Sequence, residues 1–264
     1  MPRLALGIEY DGSAFAGWQF QSHARSVQGE LQQALSQVAD HPVELTAAGR
    51  TDAGVHALEM VAHFDTSAVR PLHAWVLGAN ANSSNDVTVL WAHPVADDFH
   101  ARHQARSRRY VYRILNRPQR PSLDRQRVCH VRQELDAHAM HQAAQSLVGH
   151  RDFSAFRAAE CQSPTPVRNL THIAVERSGA CIDVTLQANA FLHHMVRNIV
   201  GSLILVGRGE QPVAWMREVL EGGDRRVAGP TAPPQGLYFV GAEYPSGFGL
   251  PSYTLRPPHS GAWL

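Results

Sequence analysis

Apolar and polar positions along the chain follow two rhythms, and their alternation predicts the elements. LALGIEY (4–10) is a largely apolar run closed by an Asp-Gly turn and reads as a buried strand. Val27, Leu31, Leu35 and Val38 then recur at helical spacing, with Ser26 placed to cap the first amide groups. VELTAAG (43–49) and VHALEMVAHF (55–64) read as strands on either side of a short polar stretch. Pro71 opens PLHAWVLGAN as a short helix, and VTVLWAHPV (87–95) is the next strand. The first third therefore reads strand, helix, strand, strand, helix, strand.

The second part repeats the theme loosely. In RRYVYRIL (108–115), Tyr110, Tyr112 and Ile114 share one face of a strand, and Arg109, Val111, Arg113 and Leu115 share the other. A helix is predicted from about Asp136, with Leu135, Met140, Ala143 and Leu147 as its core face and Gly149 as its stop. Strands at 168–177 and 180–188 flank the hairpin signal Ser178-Gly179. A long helix is expected from about Ala190 to Val206, striped by Leu192, Met195, Val196, Ile199, Leu203 and Ile204. A helix opened by Pro212 ends near Gly222-Gly223, and GLYFVGAEY (236–244) is a closing strand. The order suggests two α+β halves, at 1–105 and 106–245, followed by a Pro/Gly/Ser-rich tail at 246–264.

Composition narrows this reading. A chain of 264 residues builds its core without staples, and its three cysteines, Cys129, Cys161 and Cys181, form no CxxC pair. No apolar run approaches a membrane span, and the N-terminal MPRLALGIEYDG is too short and acidic for a signal peptide, so a cytoplasmic protein is expected. All 24 basic residues are arginine. Ten of them (Arg102, Arg106, Arg108, Arg109, Arg113, Arg117, Arg120, Arg125, Arg127 and Arg132) fall between 102 and 132, opposed only by Asp124. That stretch carries +9, residues 1–101 carry −7 and residues 133–264 carry −1. A cationic centre in a near-neutral chain suits a polyanionic partner, and guanidinium forks suit phosphate. The competing reading pairs these arginines with the acidic N-terminal third.

Four stretches carry candidate chemistry. In AGRTDAGVHA (48–57), Gly49 and Gly54 are expected to turn the chain around Arg50, Thr51 and Asp52. Asp52 is either an Asx-turn residue or a reactive carboxylate facing a cleft. No Gly-Lys-Ser/Thr follows, so this is not a phosphate loop. In NAFLHHMVRNIVGSL (189–203), read as helix, His193 and Arg197 are four apart and neighbours on the polar side. His193 and His194 are adjacent, which on a helix turns them about 100° apart. No further ligand lies at metal spacing, so Arg197 reads as a cation for a distant carboxylate. SRRYVYRILN (107–116) interleaves aromatic and Arg positions, a mixture that suits RNA and equally a strand with core tyrosines. DFSAFRAAECQSPTPVRNL (152–170), with Arg157 and Arg168, reads only as loop.

Together these stretches resemble the TruA family of tRNA pseudouridine synthases. The motifs GIEYDGSAFAGWQ (7–19), SVQGELQQAL (26–35), AGRTDAGVHA, DDFHAR (97–102), SRRYVYRI (107–114), DFSAFR (152–157), CQSPTPVRNL (161–170), NAFLHHMVRNIVGSL and APPQGLYF (232–239) fall in family order to about residue 244. One departure is Phe15, where the family commonly has Tyr. The resemblance implies a pseudouridine synthase fold: two similar α/β-sandwich domains with mainly antiparallel sheets flanking a central basic cleft. It implies isomerisation of uridine to pseudouridine at tRNA positions 38, 39 and 40 in the anticodon stem-loop, a homodimer, no membrane association, and no cofactor or required metal. By position, Asp52 is the catalytic aspartate, as nucleophile or base. Arg197 is its ion-pair partner, Arg50 lies beside the flipped nucleotide, and Tyr110 packs on the target base with a hydroxyl able to relay a proton. Arg108 and Arg109 are RNA-binding candidates from the cationic stretch.

Two other functions fit parts of the pattern. A non-catalytic RNA-binding module would need the arginines but not Asp52. An Asp-dependent phosphohydrolase would need an acidic metal-binding cluster, and the sequence offers none near Asp52.

Overall fold

The computed structural model describes residues 1–251, so most of the tail predicted at 246–264 lies outside the described residues. Among the described residues the chain divides into two compact units, Met1–Arg106 together with residues 238–251, and Ser107–Leu237.

In the first unit β1 (Arg3–Tyr10) leads to α1 (Val27–Ala39). Ser26 caps α1 as its pattern predicts, its Oγ accepting from Gly29 N at 3.3 Å. Val27, Leu31 and Leu35 are fully buried, and the helix ends at Asp40 in the left-handed region (φ 59). The strand expected over 43–49 shrinks to β2 (Thr46–Ala47). Val43 and Leu45 are buried, but their amides donate to Ser36 Oγ at 2.9 Å and Gln32 Oε1 at 3.0 Å of α1. Helix side chains replace the strand ladder there. β3 (His56–Asp65), α2 (Leu72–Asn82) and β4 (Val87–Val95) follow as expected. β1 is central, antiparallel to both β3 and β4, and β2 pairs antiparallel with β3. α1 and α2 pack together, and α2 packs on β4. Gly7 of β1 is covered by the Trp91 ring; a Cβ there would sit 2.1 Å from Trp91 Nε1.

The second unit begins with β5 (Ser107–Asn116), with β6 (Cys129–Val131) parallel to its end. α3 (Ala137–Ala144) is capped by Asp136, whose carboxylate accepts from Ala139 N at 2.9 Å. Gly149 (φ 107) then turns the chain into β7 (Gly149–Asp152), a strand the pattern did not reveal. β8 (Val167–Ser178) and β9 (Cys181–Ala188) form the predicted hairpin through Gly179 (φ 57). The antiparallel order is β5-β9-β8-β7. α4 (Met195–Gly207) starts at Met195, not near Ala190, and α5 (Trp215–Gly222) starts at Trp215, Pro212 serving only as a turn whose carbonyl accepts from Trp215 N. α3 packs on β8, α4 and α5, and α4 on β5. The chain then returns to the first unit as β10 (Leu237–Glu243), where Tyr238 and Phe239 pair in parallel with His56 and Ala57 of β3. The class is mixed α+β with mainly antiparallel sheets. No helix among the described residues is long and apolar enough to cross a membrane.

Candidate active site

In the first unit the polar stretch between β2 and β3 is a true loop. Arg50 is exposed, Thr51 buried and Asp52 half-buried. Thr51 anchors the loop: its Oγ1 pairs with Tyr10 Oη at 2.8 Å, and its carbonyl accepts from Trp18 N at 3.0 Å. Val55 N donates to Asp52 O at 3.2 Å, a turn that Gly54 closes at φ 78. Gly49 does not take a positive φ, so only one of the two flanking glycines supplies the expected turn.

The segment after β1 presses on this loop at two glycines. A Cβ on Gly12 would lie 2.0 Å from Val55 O. At Gly17 it would lie 2.6 Å from Thr51 O, on a backbone at φ 100 that side chains avoid. Sequence reasoning found the loop but missed this clamp. Its trace was the pair of glycines in GIEYDGSAFAG, which spacing could not connect to residue 51. Phe15, between them, is buried with the Arg25 guanidinium 4.2 Å from its ring centroid.

In the second unit β5 separates its residues by depth. Tyr112 is fully buried and its hydroxyl donates to Pro233 O at 2.7 Å; burial pushes its pKa well above the ordinary phenol range. Tyr110 lies nearer the surface at 9% exposure, its ring edge-on to Phe191 at 5.0 Å. Arg108 donates to Asn189 O at 2.7 Å, and the exposed Arg109 donates to Gln187 Oε1 at 3.1 Å. Arg113, counted with the cationic stretch, is instead a structural residue: it is buried and forks onto Asp183 at 2.8 and 2.7 Å.

The late start of α4 changes the histidine pair. Asn189 Oδ1 accepts from Asn169 N and Ala190 N, His193 O accepts from Ala158 N at 3.1 Å, and His193 N donates to Cys161 Sγ at 3.5 Å. These ties hold 189–194 as a loop, with His194 in the left-handed region (φ 59). His193 is therefore not on a helix with Arg197. The two imidazole rings stand 4.0 Å apart rather than being turned away from each other by helical geometry. The DFSAFR and CQSPTPVRNL stretches form the bed of this loop. Arg157 donates to Cys161 O and Ser163 O, both at 2.8 Å, and the buried Arg168 to Thr165 O, Val167 O and Ser163 Oγ. Arg197 is half-buried on α4, its Nε donating to Ala232 O at 2.8 Å.

A polar, partly exposed Arg-Thr-Asp loop in one unit, and an Arg/Tyr strand beside a half-buried Arg in the other, suit a nucleic-acid-modifying enzyme. The family model described as tRNA pseudouridine synthase matches residues 7–104 and 143–245. The chain is 56% identical over 255 residues to tRNA pseudouridine synthase A of Shewanella amazonensis, covering 97% of this chain and 98% of that one. It is 57% identical over 251 residues to the protein of that name from Stenotrophomonas maltophilia strain K279a (95% and 98%). It is 54% identical over 255 residues to that of Vibrio campbellii (97% of each). The chain belongs to the TruA family of tRNA pseudouridine synthases, whose reaction is an isomerisation.

Proposed function

We propose that this chain isomerises uridine to pseudouridine at positions 38, 39 and 40 of the tRNA anticodon stem-loop, with Asp52 acting on a flipped-out nucleotide. The N1–C1′ bond breaks, the uracil rotates, and a C5–C1′ bond forms while C5 loses a proton and N1 gains one. Substrate and product are isomers, so the reaction consumes no cosubstrate. Taking a base out of a stem costs a few kcal/mol, which binding to the extruded nucleotide must offset. Arg50 occupies the vacated space and holds the backbone. The Asp52 carboxylate either attacks C1′ or removes a sugar proton, with Arg197 as its ion-pair partner; both roles require the carboxylate form. Tyr110 stacks on the uracil, and its hydroxyl takes or relays the C5 proton. Arg108 and Arg109 engage phosphates.

The wider setting belongs to the same proposal. The chain acts as a two-domain enzyme in a cytoplasmic homodimer. Sedimentation velocity checks the last point; a monomer across the micromolar range would remove it.

The observation that carries this reading is the loop itself. Asp52 sits half-buried on a backbone pinned by the Tyr10–Thr51 pair and by two glycines, an arrangement that favours one position for a short reactive side chain. Asp52→Asn should lower pseudouridine formation by at least about 1000-fold while leaving tRNA binding within about threefold. Turnover near that of the unmodified protein in this variant would sink the assignment.

A further inference from the structure

α4 carries two polar residues where its pattern calls for apolar ones. Asn198 and Ser202 are both fully buried. Every hydrogen-bonding atom of the Asn198 side chain that the chemistry requires is engaged. Its Nδ2 donates to Phe156 O at 2.8 Å, and its Oδ1 accepts from Thr231 Oγ1 at 2.7 Å and from Arg225 Nη2 at 3.0 Å. Arg225 also donates to Thr231 Oγ1 and Gly229 O, both at 3.0 Å. Ser202 Oγ accepts from Gly229 N at 2.9 Å and donates to Asn198 O at 2.9 Å.

This network binds the strap 229–234, GPTAPP, onto the helix. Contact is at backbone distance: a Cβ on Gly201 would lie 1.7 Å from Pro230 O, and one on Gly229 would lie 2.7 Å from Ser202 Cα. Pro230, Pro233 and Pro234 hold φ fixed along the strap, and Tyr112 Oη donates to Pro233 O at 2.7 Å at its far end. Between these anchors sits Ala232. Its carbonyl accepts from Arg197 Nε at 2.8 Å, and its N–H donates to Arg197 O at 3.1 Å. One strap residue thus grips both the side chain and the backbone of the same arginine. With Nε committed, the plane of the guanidinium is set, and so is the direction of its two terminal nitrogens, the part that forks onto a carboxylate.

Apolar packing would hold a strap to a helix at least as well as buried polar groups do, since a net hydrogen bond contributes little and an unsatisfied one costs more. What a satisfied network adds is direction. We propose that Asn198, Arg225 and Thr231 are positioning residues for Arg197: they fix the strap so that the Ala232 carbonyl aims the guanidinium. The inference rests on the reading of Arg197 as the partner of Asp52.

Thr231 is the member to test, because it is only half-buried and Thr231→Val keeps its shape. Single-turnover pseudouridine formation at saturating tRNA, tRNA affinity and thermal melting are measured on the full chain. Thr231→Val should slow the single-turnover rate about tenfold with affinity within about twofold. Thr231→Ser, which keeps the oxygen, should recover most of the rate. Arg197→Met is run alongside and should lose at least as much rate as Thr231→Val. An unchanged rate in Thr231→Val beside a slow Arg197→Met overturns the positioning role alone. A fall in Thr231→Val that tracks melting and affinity, without rescue by Ser, overturns it too and makes the network merely structural. Full rate in Arg197→Met overturns the role of Arg197 and this inference with it.

Discussion

The loop at 48–55 in the first unit and the segment at 189–197 in the second both present proposed site residues, yet they are held by different means. The first is fixed by backbone against backbone, at Gly12 and Gly17, with one buried hydroxyl pair between Tyr10 and Thr51. The second adds side-chain anchors to its backbone contacts: Arg157 and Arg168 fold the bed beneath it, and Asn198, Arg225 and Thr231 hold the strap that grips Arg197. The difference follows from the residue being placed. An aspartate has a short side chain, so the position of its backbone nearly decides the position of its carboxylate. An arginine has a long stem with far more rotamer freedom, and fixing its backbone leaves the guanidinium undetermined. It needs a contact at the head, and Ala232 O supplies one.

Away from Asp52 itself, the largest expected effect tests that contrast directly. Gly17→Ala places a methyl group against Thr51 O on a backbone at φ 100, and should cost about 3 kcal/mol of stability and about 100-fold in rate. Amide exchange should quicken at Trp18 and Val55 while Gly229 and Ala232 stay protected. Gly201→Ala, which drives a methyl group into Pro230 O, should give the reverse pattern. Exchange that spreads equally through both loops from either substitution would break the comparison.

A smaller effect is expected at β5. Replacing Arg108 and Arg109 together by Gln should weaken tRNA binding and make log K against log salt shallower by about 1 to 2. An unchanged slope would mean that these guanidiniums serve the fold and not RNA phosphates.

The smallest effect lies away from both loops. Burial pushes Glu59 on β3 up to about 7 from its ordinary 4.5, against the opposing hydrogen bond from Trp91 Nε1 at 2.8 Å. A carboxyl group that binds its proton more tightly when folded stabilises the fold fully below its unfolded value. That contribution is lost as pH rises from about 4.5 to about 7. Glu59→Gln should therefore flatten this part of the pH dependence and raise the melting temperature at pH 8 by about 2 °C, with the catalytic rate unchanged. A melting curve as pH-dependent as that of the unmodified protein between pH 5 and pH 8 would show that Glu59 does not titrate in this range.

Much of this was legible in the sequence. The Ser26 cap, the start of α3 near Asp136, the β8–β9 hairpin and the strands β1, β3, β4 and β5 are where periodicity and turn chemistry put them. Their signals are local, lying within a few residues of the feature they specify. The loop bearing Arg50 and Asp52 was also legible, as a polar break between two apolar runs. The missed features share one cause. β2 is short because amides at 43 and 45 bond to helix side chains at 36 and 32. α4 starts late because Ala158, Cys161 and Asn169 hold the segment before it. In each case the deciding partner lies several to tens of residues away, where a pattern read along the chain has no access to it.

The sequence by itself determined most of the elements and their order and, through nine motifs in order, the family. Hydrophobic periodicity and capping act over one or two turns of backbone, and motif order is a property of the chain alone. Only the tertiary structure decided which arginine of the cationic stretch is bound internally, as Arg113 is to Asp183, and what holds the loop under Asp52. It also decided that APPQGLYF begins with the residue that grips Arg197. These are hydrogen bonds and close approaches between distant segments, and their geometry exists only once the chain has folded.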